Sequence, residues 1–147
     1  MRITEQLAEL LPQMMMQMVR LGDALPPSAA DLTPQQLRVI TALHHSPSAL
    51  RMTELAVQLG VTQSTVTDTA KRLISMGYLI RERSSEDDRV VHISLSPKGD
   101  VVAADLKQAR LEVFERICAK LTPTERKKLL ESHQLIFDTY RSLSMEQ

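Results

Sequence analysis

The chain has 147 residues, 43% of them hydrophobic, enough to bury one core and too few for two independent ones. Its 18 Lys and Arg balance 18 Asp and Glu, so overall charge lends nothing to nucleic-acid binding and any such footprint must be local. The aromatics are only Phe114, Phe137, Tyr78 and Tyr140, which argues against a stacking platform for single strands and makes duplex the better nucleic-acid candidate.

A single cysteine, Cys118, a start without a signal-peptide pattern, and no apolar run near the ~20 residues that span a bilayer lead us to expect a soluble cytoplasmic protein with no membrane partner. From Glu5 to Leu25 the residues Leu7, Leu10, Leu11, Met14, Met15, Met18, Leu21 and Leu25 recur at spacings of three and four, a helical stripe. Pro12 either starts the regular part of that helix or kinks it, and Pro26-Pro27 ends it. Thr33, Pro34 and Gln36 are the cap, first position and box partner of the next helix, with Leu37, Ile40 and Leu43 as its core face and His44 as a further candidate.

Ser46-Pro47-Ser48 breaks the chain. Met52 to Leu59 then forms a short helix with Leu55, Ala56 and Leu59 inward, stopped by Gly60. Thr62 caps a helix running to about Met76, stopped by Gly77. Tyr78 to Arg83 and Arg89 to Ser96 are strand-like and separated by the polar run Ser84-Ser85-Glu86-Asp87-Asp88, which predicts a hairpin. In the second strand Val91, Ile93 and Leu95 form the packed face, and Val90, His92 and Ser94 the wetter one. Pro97 to about Lys120 is the next helix, and Thr122-Pro123-Thr124-Glu125 is a capping box for the last, which carries Leu129, His133, Ile136, Phe137 and Tyr140 on one side.

Helix, glycine turn and helix between Met52 and Met76 have the spacing of a helix-turn-helix, whose second helix enters the major groove. At 100° per residue, Val66, Thr69, Ala70, Leu73 and Met76 share the packing side. Ser64, Thr67, Asp68, Lys71, Arg72 and Ser75 fall on the opposite arc, with Gln63 at the start. Gln suits adenine, Ser and Thr reach phosphates or bases, and Lys and Arg neutralise phosphate. An amphipathic helix with an ordinary solvated face would show the same arc. The hairpin that follows supplies a wing, and Arg89 at its tip suits the concentrated negative potential of a narrow minor groove. Asp87 is positioned to accept from an arginine such as Arg81 and so to shape the loop. The other reading is a solvated acidic hairpin, given Glu86, Asp87 and Asp88.

These segments together resemble the MarR family of winged helix-turn-helix regulators. The resemblance rests on Leu32-Thr33-Pro34-Gln35-Gln36, Thr53-Glu54-Leu55-Ala56 to Leu59-Gly60-Val61-Thr62, Thr65-Val66-Thr67 to Arg72-Leu73, Gly77-Tyr78-Leu79-Ile80-Arg81, and Asp87-Asp88-Arg89 to Leu95-Ser96-Pro97-Lys98-Gly99. It implies a mostly helical fold with a small hairpin wing, in which residues 31–96 form the DNA-binding lobe and residues 1–30 and 97–147 the dimerisation helices. It further implies an obligate homodimer on a palindromic duplex, wing-tip arginines in the minor groove, and in many members a pocket for a small ligand. The expected DNA-facing set is Gln63, Ser64, Thr65, Thr67, Asp68, Lys71, Arg72, Arg81, Asp87 and Arg89. Family members often carry a basic residue where this chain has Asp68, and another between the wing's Asp and Arg, where Asp88 stands. Both changes remove positive charge from the DNA face.

The histidines His44, His45, His92 and His133 are dispersed, so no metal cofactor is expected. Cys118 lies within an amphipathic helix, the ordinary place for a structural thiol rather than a redox sensor. Met14, Met15, Met16 and Met18 suit packing at a dimer interface more than a ligand pocket. No nucleophile and base stand at a recognisable spacing, so an enzyme is not expected. The expectation is a repressor responsive to an apolar or aromatic acid. The alternative is a winged-helix protein-interaction module that binds little DNA.

Overall fold

The computed structural model describes residues 2–21, 25–87 and 89–145, without the side chains of Met18, Val19 and Leu21. Asp88, noted above for its charge, lies outside the described residues, as do residues 22–24 between the first helix and Pro26-Pro27. The chain divides into two compact units, Met1–Ala109 and Arg110–Gln147.

The first unit opens with α1 (Ile3–Leu21), which runs through Pro12 instead of starting there; proline forgoes one backbone hydrogen bond, and the turns on either side continue without it. Of its stripe, the described side chains of Leu7, Leu10, Leu11, Met14 and Met15 are all exposed. A 3-10 turn (Pro27–Ala29) leads to α2 (Pro34–His45). The capping box is formed as expected: Gln36 N–H donates to Thr33 Oγ1 at 3.3 Å and Thr33 N–H to Gln36 Oε1 at 2.8 Å. Val39, Ile40 and Leu43 are buried on α2, Leu37 is half-buried, and His44, considered for the core, is exposed.

β1 (Leu50–Arg51) leads directly into α3 (Met52–Leu59), and α4 (Gln63–Ser75) follows. Then come β2 (Leu79–Arg83), β3 (Val91–Leu95) and α5 (Pro97–Cys118), which crosses into the second unit. The sheet order is β1-β3-β2, all antiparallel, with Leu50 opposite Ile93 and Arg51 opposite His92, and Leu79 opposite Leu95 through Arg83 opposite Val91. β1 was not anticipated, because two residues cannot display a period. The alternation expected in β3 is weak: Ile93 is buried, but its neighbours on both faces are half-buried.

One core fills this unit, built from Leu55 of α3, Val66 and Leu73 of α4, Val39 and Ile40 of α2, Ile93 of β3 and Val102 of α5, each 2% exposed or less. Each such side chain contributes about 1.5–3 kcal/mol relative to staying in water. The second unit holds the end of α5 and α6 (Pro123–Met145). Glu125 N–H donates to Thr122 Oγ1 at 3.3 Å and Thr122 N–H to Glu125 Oε2 at 2.8 Å, closing the second expected box. Phe114 meets the edge of His133 at 6.1 Å between centroids. None of the described α6 residues is buried; Leu135, Ile136, Phe137 and Tyr140 are among those left open.

Candidate nucleic-acid interface

Gly60 sets the angle between α3 and α4. Its φ of +64° is reached at little cost only without a Cβ, and the turn closes through Gly60 N–H to Val57 O and Val61 N–H to Ala56 O, both 3.2 Å. Thr62 then caps α4, its Oγ1 accepting from Thr65 N–H at 3.2 Å and lying 2.8 Å from the Thr65 hydroxyl. Thr65 is thus exposed but already tied to the cap.

Val66, Ala70 and Leu73 anchor α4 in the core, so the opposite arc must face outward. Gln63, Ser64, Asp68, Lys71, Arg72 and Ser75 are exposed, whereas Thr67, expected among them, is half-buried. Thr69 turns its hydroxyl back onto Thr65 O at 2.8 Å. Arg72, which borders the packed face on a helical wheel, is exposed and forms no ion pair among the described residues.

The wing turn is held by Ser84 N–H to Val90 O at 2.8 Å, Val90 N–H to Asp87 O at 2.9 Å, and Arg89 N–H to Asp87 Oδ1 at 2.9 Å. The carboxylate of Asp87 therefore shapes the loop through the backbone of Arg89, not through Arg81. Arg81 lies in the stem of β2 opposite Ile93, exposed and without an ion pair to Asp87. Register explains the difference: a residue paired deep in the ladder cannot reach a carboxylate in the turn as easily as the amide two residues along.

Two hollows flank α4. One, of about 320 Å³, brings Gln63 and Arg89 together with Arg51, Met52, Thr53 and Val91. The other, of about 260 Å³, has Gln35 and Gln36 of α2 facing Thr65, Asp68 and Arg72 of α4. Gln35 Oε1 accepts from Arg38, which also donates to Leu59 O at 2.6 Å and so ties α2 to the end of α3. Arg51 and Gln35 were not read from the sequence as part of this surface. Arg51 reaches it only through β1, and Gln35 only through the packing of α2 against α4. Among the described residues no group of three His, Cys, Asp or Glu could hold a metal ion, and no helix is long and apolar enough to cross a membrane.

The MarR family model matches residues 30–90, the stretch containing α2, α3, α4 and most of the wing. The transcriptional regulator AdcR of Streptococcus pneumoniae is 30% identical over 103 residues, 68% of this chain and 69% of that one. The chain belongs to the MarR family. The HTH-type transcriptional repressor MdtR of Bacillus subtilis is 32% identical over 94 residues, 64% of this MarR-family chain but only 60% of MdtR's own length. In fold, FabT of Streptococcus pneumoniae, solved in complex with DNA, superposes with a TM-score of 0.74 over 97% of both chains at 23% identity. The winged helix-turn-helix expected for a MarR-family chain is therefore the fold found.

Proposed function

We propose that this MarR-family chain is a homodimeric transcription regulator that binds a palindromic duplex, with α4 in the major groove and the β2–β3 wing in the minor groove. The observation that carries this reading is the open arc of α4 meeting the wing: Gln63 at the helix start and Arg89 at the wing tip border one hollow. A duplex lying along α4 would present base edges to Gln63 and Ser64 and phosphates to Lys71 and Arg72, while Arg89 sits where an adjoining minor groove would pass. AdcR and MdtR are named as transcriptional regulators and FabT was solved on DNA, which supports the same reading.

In this reading residues 31–96 form the DNA-binding lobe, and residues 1–30 and 97–147 supply dimerisation helices. The uncovered stripes of α1 and α6 support the dimer, since apolar faces of this length are normally covered. The name of MdtR supports repression. An apolar or aromatic acid is the effector class proposed, acting by binding two dimer shapes unequally. No catalytic step belongs to this function.

The test is a gel shift on the chain's own upstream region at two salt concentrations, run with light scattering. Retarded duplex that is lost steeply as salt rises, from a two-fold particle, is the expected result. A stable monomer at micromolar concentration would remove the palindrome geometry, and no salt-sensitive shift would leave a winged-helix module for a protein partner. A panel of phenolic and carboxylate compounds that changes neither melting temperature nor the shift would remove the effector.

A further inference from the structure

We infer that the hollow bordered by Arg51 and Arg89 seats one backbone phosphate of the duplex, and that Arg51 is a DNA contact which positions the wing. The inference rests on the DNA-binding reading above and adds a residue outside both the recognition helix and the wing.

Strand pairing creates the site. β1 is only two residues long, but pairing Leu50 with Ile93 and Arg51 with His92 carries residue 51 to the turn end of β3, on one hollow with Val91, Arg89 and Gln63. Residues 38 apart in sequence thus meet where α3, α4 and the wing converge. Both arginines are exposed, and among the described residues neither forms an ion pair. The carboxylate nearest to Arg51 in sequence, Glu54, does not line the hollow; its Oε2 accepts the Arg51 backbone N–H at 2.7 Å.

Local charge then decides what the hollow takes. The chain as a whole is neutral, yet among the described residues this hollow is lined by two arginines and no acid, with Thr53 and Gln63 as neutral donors. The hollow on the other side of α4 is lined by one arginine, Arg72, and one acid, Asp68, and has no such excess. A phosphodiester offers two unbridged oxygens, and guanidinium groups match them in charge and planar geometry. A phosphate held here would fix the height of the wing over the groove, which is how backbone contacts serve registry without reading sequence.

The experiment compares wild type, Arg51→Ala, Arg51→Lys, Arg89→Ala and the double variant on one shifted duplex, with folding checked by circular dichroism. Arg51→Ala should weaken specific and nonspecific duplexes alike by about tenfold and flatten the salt slope by roughly one, with base preference unchanged and Arg51→Lys partly restoring both. The double variant should lose less than the two single losses combined, because a wing no longer held at its height by Arg51 presents Arg89 less well to the minor groove. A scan of single methylphosphonate substitutions along the duplex supplies the second readout. One position per half-site should weaken wild type while leaving Arg51→Ala indifferent.

The inference is overturned if Arg51→Ala binds as wild type does, or if no methylphosphonate position depends on residue 51; the DNA-binding reading would survive either result. It is also overturned if Arg51→Ala abolishes only a melting shift produced by inorganic phosphate, since the hollow would then be a free-anion site. Wild type that binds no duplex would remove the broader reading, and this one with it.

Discussion

The carboxylate of Asp87 and the backbone amide of Arg89 are joined by a 2.9 Å hydrogen bond, so the residue that shapes the wing turn does so by holding the main chain of the arginine at its tip. Two effects of Asp87 therefore oppose each other: its acceptor orders the turn, while its charge repels phosphate. Asp87→Asn keeps an acceptor and drops the charge, and should bind duplex as well as wild type or better. Asp87→Ala drops both and should bind less well than Asp87→Asn, by about 0.5–1.5 kcal/mol. A gel-shift series in which the alanine variant matches the asparagine variant would show that turn order does not matter.

Arg89→Ala should weaken operator binding by about 1–3 kcal/mol and leave melting temperature and particle size unchanged. The side chain is exposed, so the folded lobe loses no core contact when it is shortened. Loss of affinity accompanied by a fall in melting temperature would assign Arg89 to the fold instead.

Asp68 is exposed on α4 beside Arg72. If its carboxylate only repels phosphate, Asp68→Ala should tighten binding to every duplex, with the gain shrinking as salt rises. Loss of specific binding alone would instead mean that Asp68 accepts from a cytosine amino group or orients a neighbouring arginine. Titrating one specific and one random duplex separates the two.

Gly99 lies where α5 passes the wing. A Cβ there would overlap the Tyr78 carbonyl and come within 3.2 Å of Leu95 Cδ2. Tyr78 O already accepts from Ser96 N–H at 3.0 Å, so it cannot withdraw freely. Gly99→Ala should therefore cost about 1–3 kcal/mol in urea unfolding. Unchanged stability would mean that α5 can shift away from the wing.

Glu125 is fully exposed, and its carboxyl is held below the ordinary carboxylate range by Thr122, chiefly by the backbone N–H and then by the hydroxyl. A depressed folded value stabilises the folded form above the unfolded value, and the contribution disappears as pH falls through the folded one. The first turn of α6 should accordingly fray on acidification below the usual carboxylate range, with faster amide exchange near residues 122–126. Glu125→Gln should remove that pH dependence.

How much could be read beforehand follows the length scale of each signal. The boxes at Thr33 and Gln36 and at Thr122 and Glu125 need only a three-residue spacing, and both formed. The inward set Val66, Ala70 and Leu73 needs one helical period, and all three are buried. Contacts made by register were not legible: nothing local ties Arg51 to Arg89, and the Arg81 to Asp87 pairing suggested by proximity fails once the ladder places one in the stem and the other in the turn. Val39 and His44 show the same limit on α2, since a helical face can be drawn from the sequence but its width depends on what packs against it.

Ser96 joins three segments at once: its hydroxyl donates to Gly77 O at 2.5 Å and accepts from Gly99 N–H at 3.1 Å, while Lys98 Nζ reaches Met76 O at 2.9 Å. The end of α4, the root of the wing and the first turn of α5 are thereby bolted into a single joint. A torque applied along α5 would then swing α4 and the wing as one block. In the proposed dimer, an effector working through that lever would alter the distance and angle between the two winged lobes, while each lobe kept its own shape.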